Sequence, residues 1–174
     1  PGMDDFVGNA VTALNMTDCG VIVVNGQYGV EVGTQNIFRT ANSIDKPVIF
    51  AVNKVDADNA DYDNVVAQLK DVFGPSVVPV QFPVECGPGF NSVVDVLLMK
   101  QLTWKPEGGT PTITEIAPEL MEKAKEWNQA LVEAAAENDE TLMDKFFDKG
   151  SLNEDEMRAG IREGLIQRSI YPVF

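Results

Sequence analysis

The sequence predicts an α/β protein: a parallel sheet first, then a smaller α+β part. Two short runs, residues 19–24 and 47–53, are apolar almost throughout and too short for buried helices, which is the pattern of strands covered on both faces. Strands alternating with helical patterns imply right-handed crossovers and a parallel sheet. Beyond residue 77 the rhythm changes to alternating apolar positions, and then to amphipathic helices.

In chain order, residues 4–16 carry Val7, Ala10, Val11 and Leu14 at helical spacing, with Asp4 and Asp5 where a helix's positive end favours acids. The first strand, 19–24, stops at the turn signal Asn25-Gly26. Residues 34–44 place Ile37, Phe38, Ala41 and Ile44 on one helical face, and Asp45-Lys46-Pro47 ends the helix because the residue before proline avoids helical angles. After the strand 48–52, residues 61–73 repeat the helical pattern with Val65, Val66, Leu69, Val72 and Phe73, closed by Gly74-Pro75.

Residues 77–84 and 93–104 alternate Val78, Val80, Phe82, Val96, Leu98 and Leu102 around the turn-rich Cys86-Gly87-Pro88-Gly89, so they predict strands of a small separate sheet. Residues 107–111 form an exposed loop. Pro118 opens a long helix whose Leu120, Ala124, Trp127, Leu131 and Ala135 face the core, with Glu119, Glu122, Glu126, Glu133 and Glu137 mostly outside. A shorter helix, 140–148, offers Leu142, Met143, Phe146 and Phe147 and ends at Gly150. Ser151 to Glu154 has the form of a capping box, with Asn153 as the competing cap of a last helix carrying Met157, Ile161 and Leu165. Residues 170–174 read as a final strand.

The chain has 174 residues, 44% of them hydrophobic, so a packed core is expected rather than disorder. With 27 acidic against 13 basic residues and no histidine, the net charge of −14 repels phosphate backbones and argues against direct nucleic-acid binding. Twelve acids and four lysines lie within residues 118–157. Acidity also serves solubility, but this concentration in one helical part favours a docking surface for a basic protein. Cys19 and Cys86 show neither a disulfide framework nor metal-site spacing, no metal site is predicted, and a cytosolic chain is expected. No apolar run reaches membrane-spanning length. The first residue, Pro1, reads as the start of a piece cut from something larger.

The chemistry concentrates at Asn53-Lys54-Val55-Asp56, where the second strand ends abruptly in polar residues. Open α/β sheets bind ligands at the carboxyl ends of their strands. A carboxylate such as Asp56 can accept both the ring N–H and the exocyclic amine of guanine, Asn53 can donate to the carbonyl or N7 edge, and the stem of Lys54 can lie along the base. Adenine presents the wrong donor there. Alone, these four residues also describe a polar loop leaving a strand; their place in the α/β rhythm favours the guanine reader.

Pro1-Gly2-Met3-Asp4-Asp5-Phe6, Gly29-Val30-Glu31, Phe38-Arg39-Thr40-Ala41-Asn42, Asn53-Lys54-Val55-Asp56, Val78-Pro79-Val80-Gln81-Phe82-Pro83 and Ile170-Tyr171-Pro172-Val173-Phe174 occur in this order. Together they resemble translation elongation factor G over nearly the whole chain. The resemblance implies a partial P-loop GTPase-type parallel sheet with an inserted α+β subdomain: residues 1–83 as the second half of the GTPase domain, 84–168 as the inserted G′ subdomain and 169–174 as a returning strand. It further implies three sheet strands, at 20–24, 47–53 and 170–174. The first of these would be a raw edge open to weak pairing with another copy.

The functions implied are those of a translational GTPase acting on the ribosome in translocation. GTP or GDP with Mg would bind the intact parent and none would be held by this piece, because the phosphate loop and first switch of the family would precede Pro1. Gly2 falls at the phosphate-sensing position of the second switch, and Asn53, Lys54 and Asp56 at the guanine site. Met3 stands where the family usually has a histidine that positions water, and a thioether cannot do this. The piece is expected to be inactive, and the parent to hydrolyse little GTP; ordinary divergence with hydrolysis retained is the competing reading. Asn25 and Gly33 also depart from the family pattern. Glu133, Glu137 and Glu140 lie in the acidic helices that match the family's surface for basic domains of the ribosomal stalk protein. The rival readings are a ribosomal-protection or release factor of the same class, and a non-enzymatic acidic binding module.

Overall fold

Six α-helices and eight strands follow one another among the described residues. The structure is a computed structural model that describes residues 6–174. Gly2 and Met3 lie outside the described residues. Helix α1 (Val7–Met16) leads to β1 (Gly20–Asn25), α2 (Val32–Ser43), β2 (Val48–Asn53) and α3 (Tyr62–Phe73). Four short strands come next, β3 (Val77–Pro79), β4 (Gln81–Pro83), β5 (Ser92–Asp95) and β6 (Lys100–Thr103), followed by β7 (Thr112–Thr114). A 3₁₀ turn at Pro118–Leu120 starts α4 (Met121–Ala136), and α5 (Glu140–Lys149), α6 (Glu154–Gln167) and β8 (Tyr171–Val173) complete the chain.

Two four-stranded sheets result. The first has the order β1-β2-β8-β3 and is parallel; the second has the order β4-β5-β6-β7 and is antiparallel. The GTPase-type parallel sheet with an inserted α+β part is therefore the observed architecture. β1 and β2 pair over their whole lengths, from Gly20 opposite Val48 to Asn25 opposite Asn53. β8 pairs with β2 only at Phe50 and Val173, whereas three of its residues pair with β3. Pro172 contributes to this asymmetry, since proline brings no N–H to a ladder.

Two expectations need correction. Residues 77–84 are not one strand of the separate sheet: β3 joins the parallel sheet as a fourth strand, so that sheet has four members rather than three, and only β4 enters the second sheet. Val80 is the pivot, its N–H donating to Val173 O and its carbonyl accepting from Val96, both at 3.0 Å. Likewise 93–104 is a hairpin of two strands, turning at Met99 with φ 52°. β7 lies in the stretch that followed the predicted loop, and its three exposed residues, Thr112–Thr114, offer no alternation to read.

The core is continuous across both sheets. Phe38, Phe50, Phe73 and Tyr171 form an aromatic cluster on the parallel sheet, with Phe38 and Phe73 centroids 4.3 Å apart. Stacked and edge-on rings of this kind add to simple burial. In the inserted part, Leu131, Ala135 and Ala136 of α4 are fully buried, and Gly160 of α6 sits so close that an added Cβ would lie 2.4 Å from Ala135 O. Asn153 is the cap of α6, forming a reciprocal box with Glu156, and Ser151 is not. Among the described residues no helix is long and apolar enough to cross a membrane.

Candidate functional site

β2 ends at Asn53, and the chain turns because Lys54 takes the left-handed conformation, φ 58°. Non-glycine residues rarely adopt this angle, so the surroundings must hold it. Asn53 supplies part of the hold: its Oδ1 accepts from the Lys54 N–H at 2.8 Å. Two successive turns follow, Ala57 N–H to Lys54 O at 3.2 Å and Ala60 N–H to Ala57 O at 3.1 Å. Asn53, Lys54 and Asp56 are exposed at the carboxyl end of β2, while Val55 is turned partly into the core.

The loop after β1 braces this turn from one side. Gly26 donates to Asn53 O at 2.8 Å and accepts from Asp61 at 2.9 Å. A Cβ at Gly26 would lie 3.1 Å from Asn53 O and 3.3 Å from Lys54 O, so the close approach depends on glycine. Asn25 Oδ1 accepts from the Gln27 N–H at 2.8 Å, and the Gln27 side-chain amide donates to Asp58 O. Gln68 of α3 fixes the far end of the same loop by accepting from Val30 N–H at 2.9 Å.

The inserted part braces it from the other side. Gly87, between β4 and β5, donates to Val55 O at 2.7 Å. Tyr62, at the start of α3 and 3% exposed, donates to Gln81 O at 2.8 Å; burial pushes its phenol well above the ordinary range, so it stays a donor. A groove of about 380 Å³ lies at this junction, lined by Asp61, Asp63, Glu85, Cys86 and Lys123 among others.

A carboxylate, an amide and an aliphatic stem are all exposed on one hydrogen-bonded turn, a set of one acceptor group, one donor–acceptor group and one apolar stem. The structure thus brings Asn53, Lys54 and Asp56 together. It places Glu133 on α4, Glu137 at that helix's end and Glu140 at the start of α5, all three exposed. Reading the sequence missed the bracing residues Gly26, Gln68, Tyr62 and Lys123. Asn25-Gly26 carried a turn signal, but none of the four announces its partner.

A family model described as the elongation factor Tu GTP binding domain matches residues 1–162. The crystal structure of a protein from Thermus thermophilus is similar over 99% of this chain, with 28% sequence identity and a TM-score of 0.88. The chain spans only 26% of that protein's length. With most of its residues matched by that model and the Asn53–Asp56 turn formed at the strand end, this chain belongs to the elongation factor Tu GTP binding domain family, a family of guanine-nucleotide-binding domains.

Proposed function

We propose that this chain is part of an elongation factor G-like GTPase of translocation, and that Asn53, Lys54 and Asp56 read its guanine base. The observation that carries the reading is the braced turn at the end of β2, which presents those three side chains outward. In this reading residues 1–83 belong to the GTPase domain, 84–168 form the inserted subdomain and 169–174 return to the sheet. The groups that hold the phosphates and Mg belong to parts of the longer protein outside this chain, and the chain alone does not turn over GTP. Asp56 and Asn53 select the base, Lys54 covers its face, and Gly2 senses the terminal phosphate.

Titrating the longer protein with guanine and adenine nucleotides tests the site. Asp56→Asn should weaken guanine nucleotides by about 2 kcal/mol, because one acceptor of a paired hydrogen bond becomes a donor. Equal affinity for the two bases in the unaltered protein would overturn the reading and favour an acidic binding module.

Three finer points belong to the same proposal. Met3 in place of histidine supports little GTP hydrolysis by a factor that works on the ribosome in the cytoplasm; single-turnover hydrolysis on ribosomes at an ordinary elongation-factor rate would remove this point. Glu133, Glu137 and Glu140 are the contact for basic domains of the stalk protein, and reversing their charge should slow association in a salt-dependent way. The outer edge of β1 is the site for weak self-association of the isolated chain.

A further inference from the structure

The base-reading turn is held by the inserted part as well as by its own sheet. Three contacts tie it to the second sheet and α4, two of them made by residues within 84–168. Gly87 N–H donates to Val55 O at 2.7 Å, Tyr62 O–H donates to Gln81 O at 2.8 Å, and Lys123 Nζ meets both carboxylate oxygens of Asp63 at 2.6 Å. The lysine is itself fixed, lying 4.5 Å from the Phe82 ring centroid and 4.7 Å from that of Trp127. Those rings attract the cation and restrict its stem, so the ammonium is placed before it meets Asp63. Asp63 lies in the first turn of α3, whose N-cap Asp61 ends the base-reading loop and donates its N–H to Gly26 O. Gly87 has φ 102°, a conformation that a side-chain-bearing residue does not hold without strain. The loop is thus gripped at Val55, near its start, and at Asp63, just beyond its end.

We infer that Lys123 and Gly87 are positioning residues for guanine recognition, and that the inserted part sets the alignment of Asp56 through them. This rests on the guanine reading proposed above. Rigid placement is what lets one carboxylate engage two donors of a base at once. A binding partner that shifts α4 would move Lys123 and alter the grip on the nucleotide without touching it.

The test uses Lys123→Met, which keeps the aliphatic contact with the rings and removes the ammonium, and Gly87→Ala, which disturbs the second grip. In the chain described here, amide exchange at Ala57, Ala60 and Asp61 should quicken about three- to fivefold in each variant, while the β1–β2 ladder keeps its protection. In the longer protein, the ratio of GDP to IDP affinity should fall by a similar factor, because inosine lacks the exocyclic amine that Asp56 accepts. A merely stabilising role would lower both affinities and leave their ratio unchanged. Unchanged exchange at the three amides in both variants, or quickened exchange with an unchanged ratio, overturns the inference. If the unaltered protein shows no guanine preference, the guanine reading fails by itself and the positioning inference falls with it; faster exchange would then report only a structural brace.

Discussion

Val21 and Val23 of β1 stand 62% and 60% exposed, whereas α4 and α6 approach so closely that a Cβ on Gly160 would lie 2.4 Å from a backbone carbonyl oxygen. One region leaves apolar surface open; the other leaves no room for a methyl group. The contrast shows that α4 and α6 are packed to contact within the continuous core, while the parallel sheet is packed on one face at β1 and open on the other. Parallel sheets are ordinarily covered on both faces.

The contrast can be broken most directly at the sheet. Phe50, fully buried in the aromatic cluster, should cost about 3–5 kcal/mol when changed to alanine, read from urea unfolding. Val23→Ala, on the other face of the sheet, should stay within about 0.5 kcal/mol. Similar losses for the two would remove the distinction between the faces. The next largest effect lies in the inserted part: Gly160→Ala should destabilise by about 2 kcal/mol, since Ala135 is backbone and cannot swing away. Gly8→Ala in α1, with nothing within 4 Å, should instead gain about 0.5–1 kcal/mol from helix propensity. A tolerated Gly160→Ala would mean that α4 and α6 are free to separate.

Smaller still is the effect of Val21→Lys. A charge on the open face beside the β1 edge should abolish concentration-dependent sedimentation of the isolated chain with little change in unfolding midpoint. If sedimentation is unaltered, the edge is not a contact between copies.

The smallest effect is in acid. Asp139 caps α5, and its carboxyl is held below its ordinary value first by the Thr141 hydroxyl and then by the Leu142 N–H. Glu156 of the α6 capping box is held down first by the Lys145 ammonium and then by the Asn153 N–H. Both folded values are depressed, so the caps contribute fully above the ordinary carboxylate range and lose their contribution as pH falls through the lowered values. Exchange in the first turns of α5 and α6 should therefore quicken below about pH 4, before the β1–β2 ladder responds. Caps that remain protected at lower pH would contradict this.

Much of the architecture was legible along the chain, because its signals are local. Period and length identified β1, β2, β8 and the helices; Asn25-Gly26 and Gly150 marked ends; and Asn53-Lys54-Val55-Asp56 stood out as polar residues interrupting an apolar strand. The bracing of that site was not legible. Lys123 reaches Asp63 across 60 residues of sequence, and a lysine among glutamates on an amphipathic helix reads as part of a solvated face.

By itself the sequence determined where most strands and helices form and where polar residues interrupt the second strand, since periodicity, chirality and hydrogen-bonding capacity act over a few neighbours. Only the tertiary structure decided that residues 77–84 divide at Val80 between two sheets, because their alternation is unbroken and the choice of partners belongs to Val173 and Val96. It likewise decided that Gly160 joins two helices and that Asn53–Asp56 is gripped from both sides. These are packing outcomes between segments distant in the chain, and the chemistry of either segment alone does not contain them.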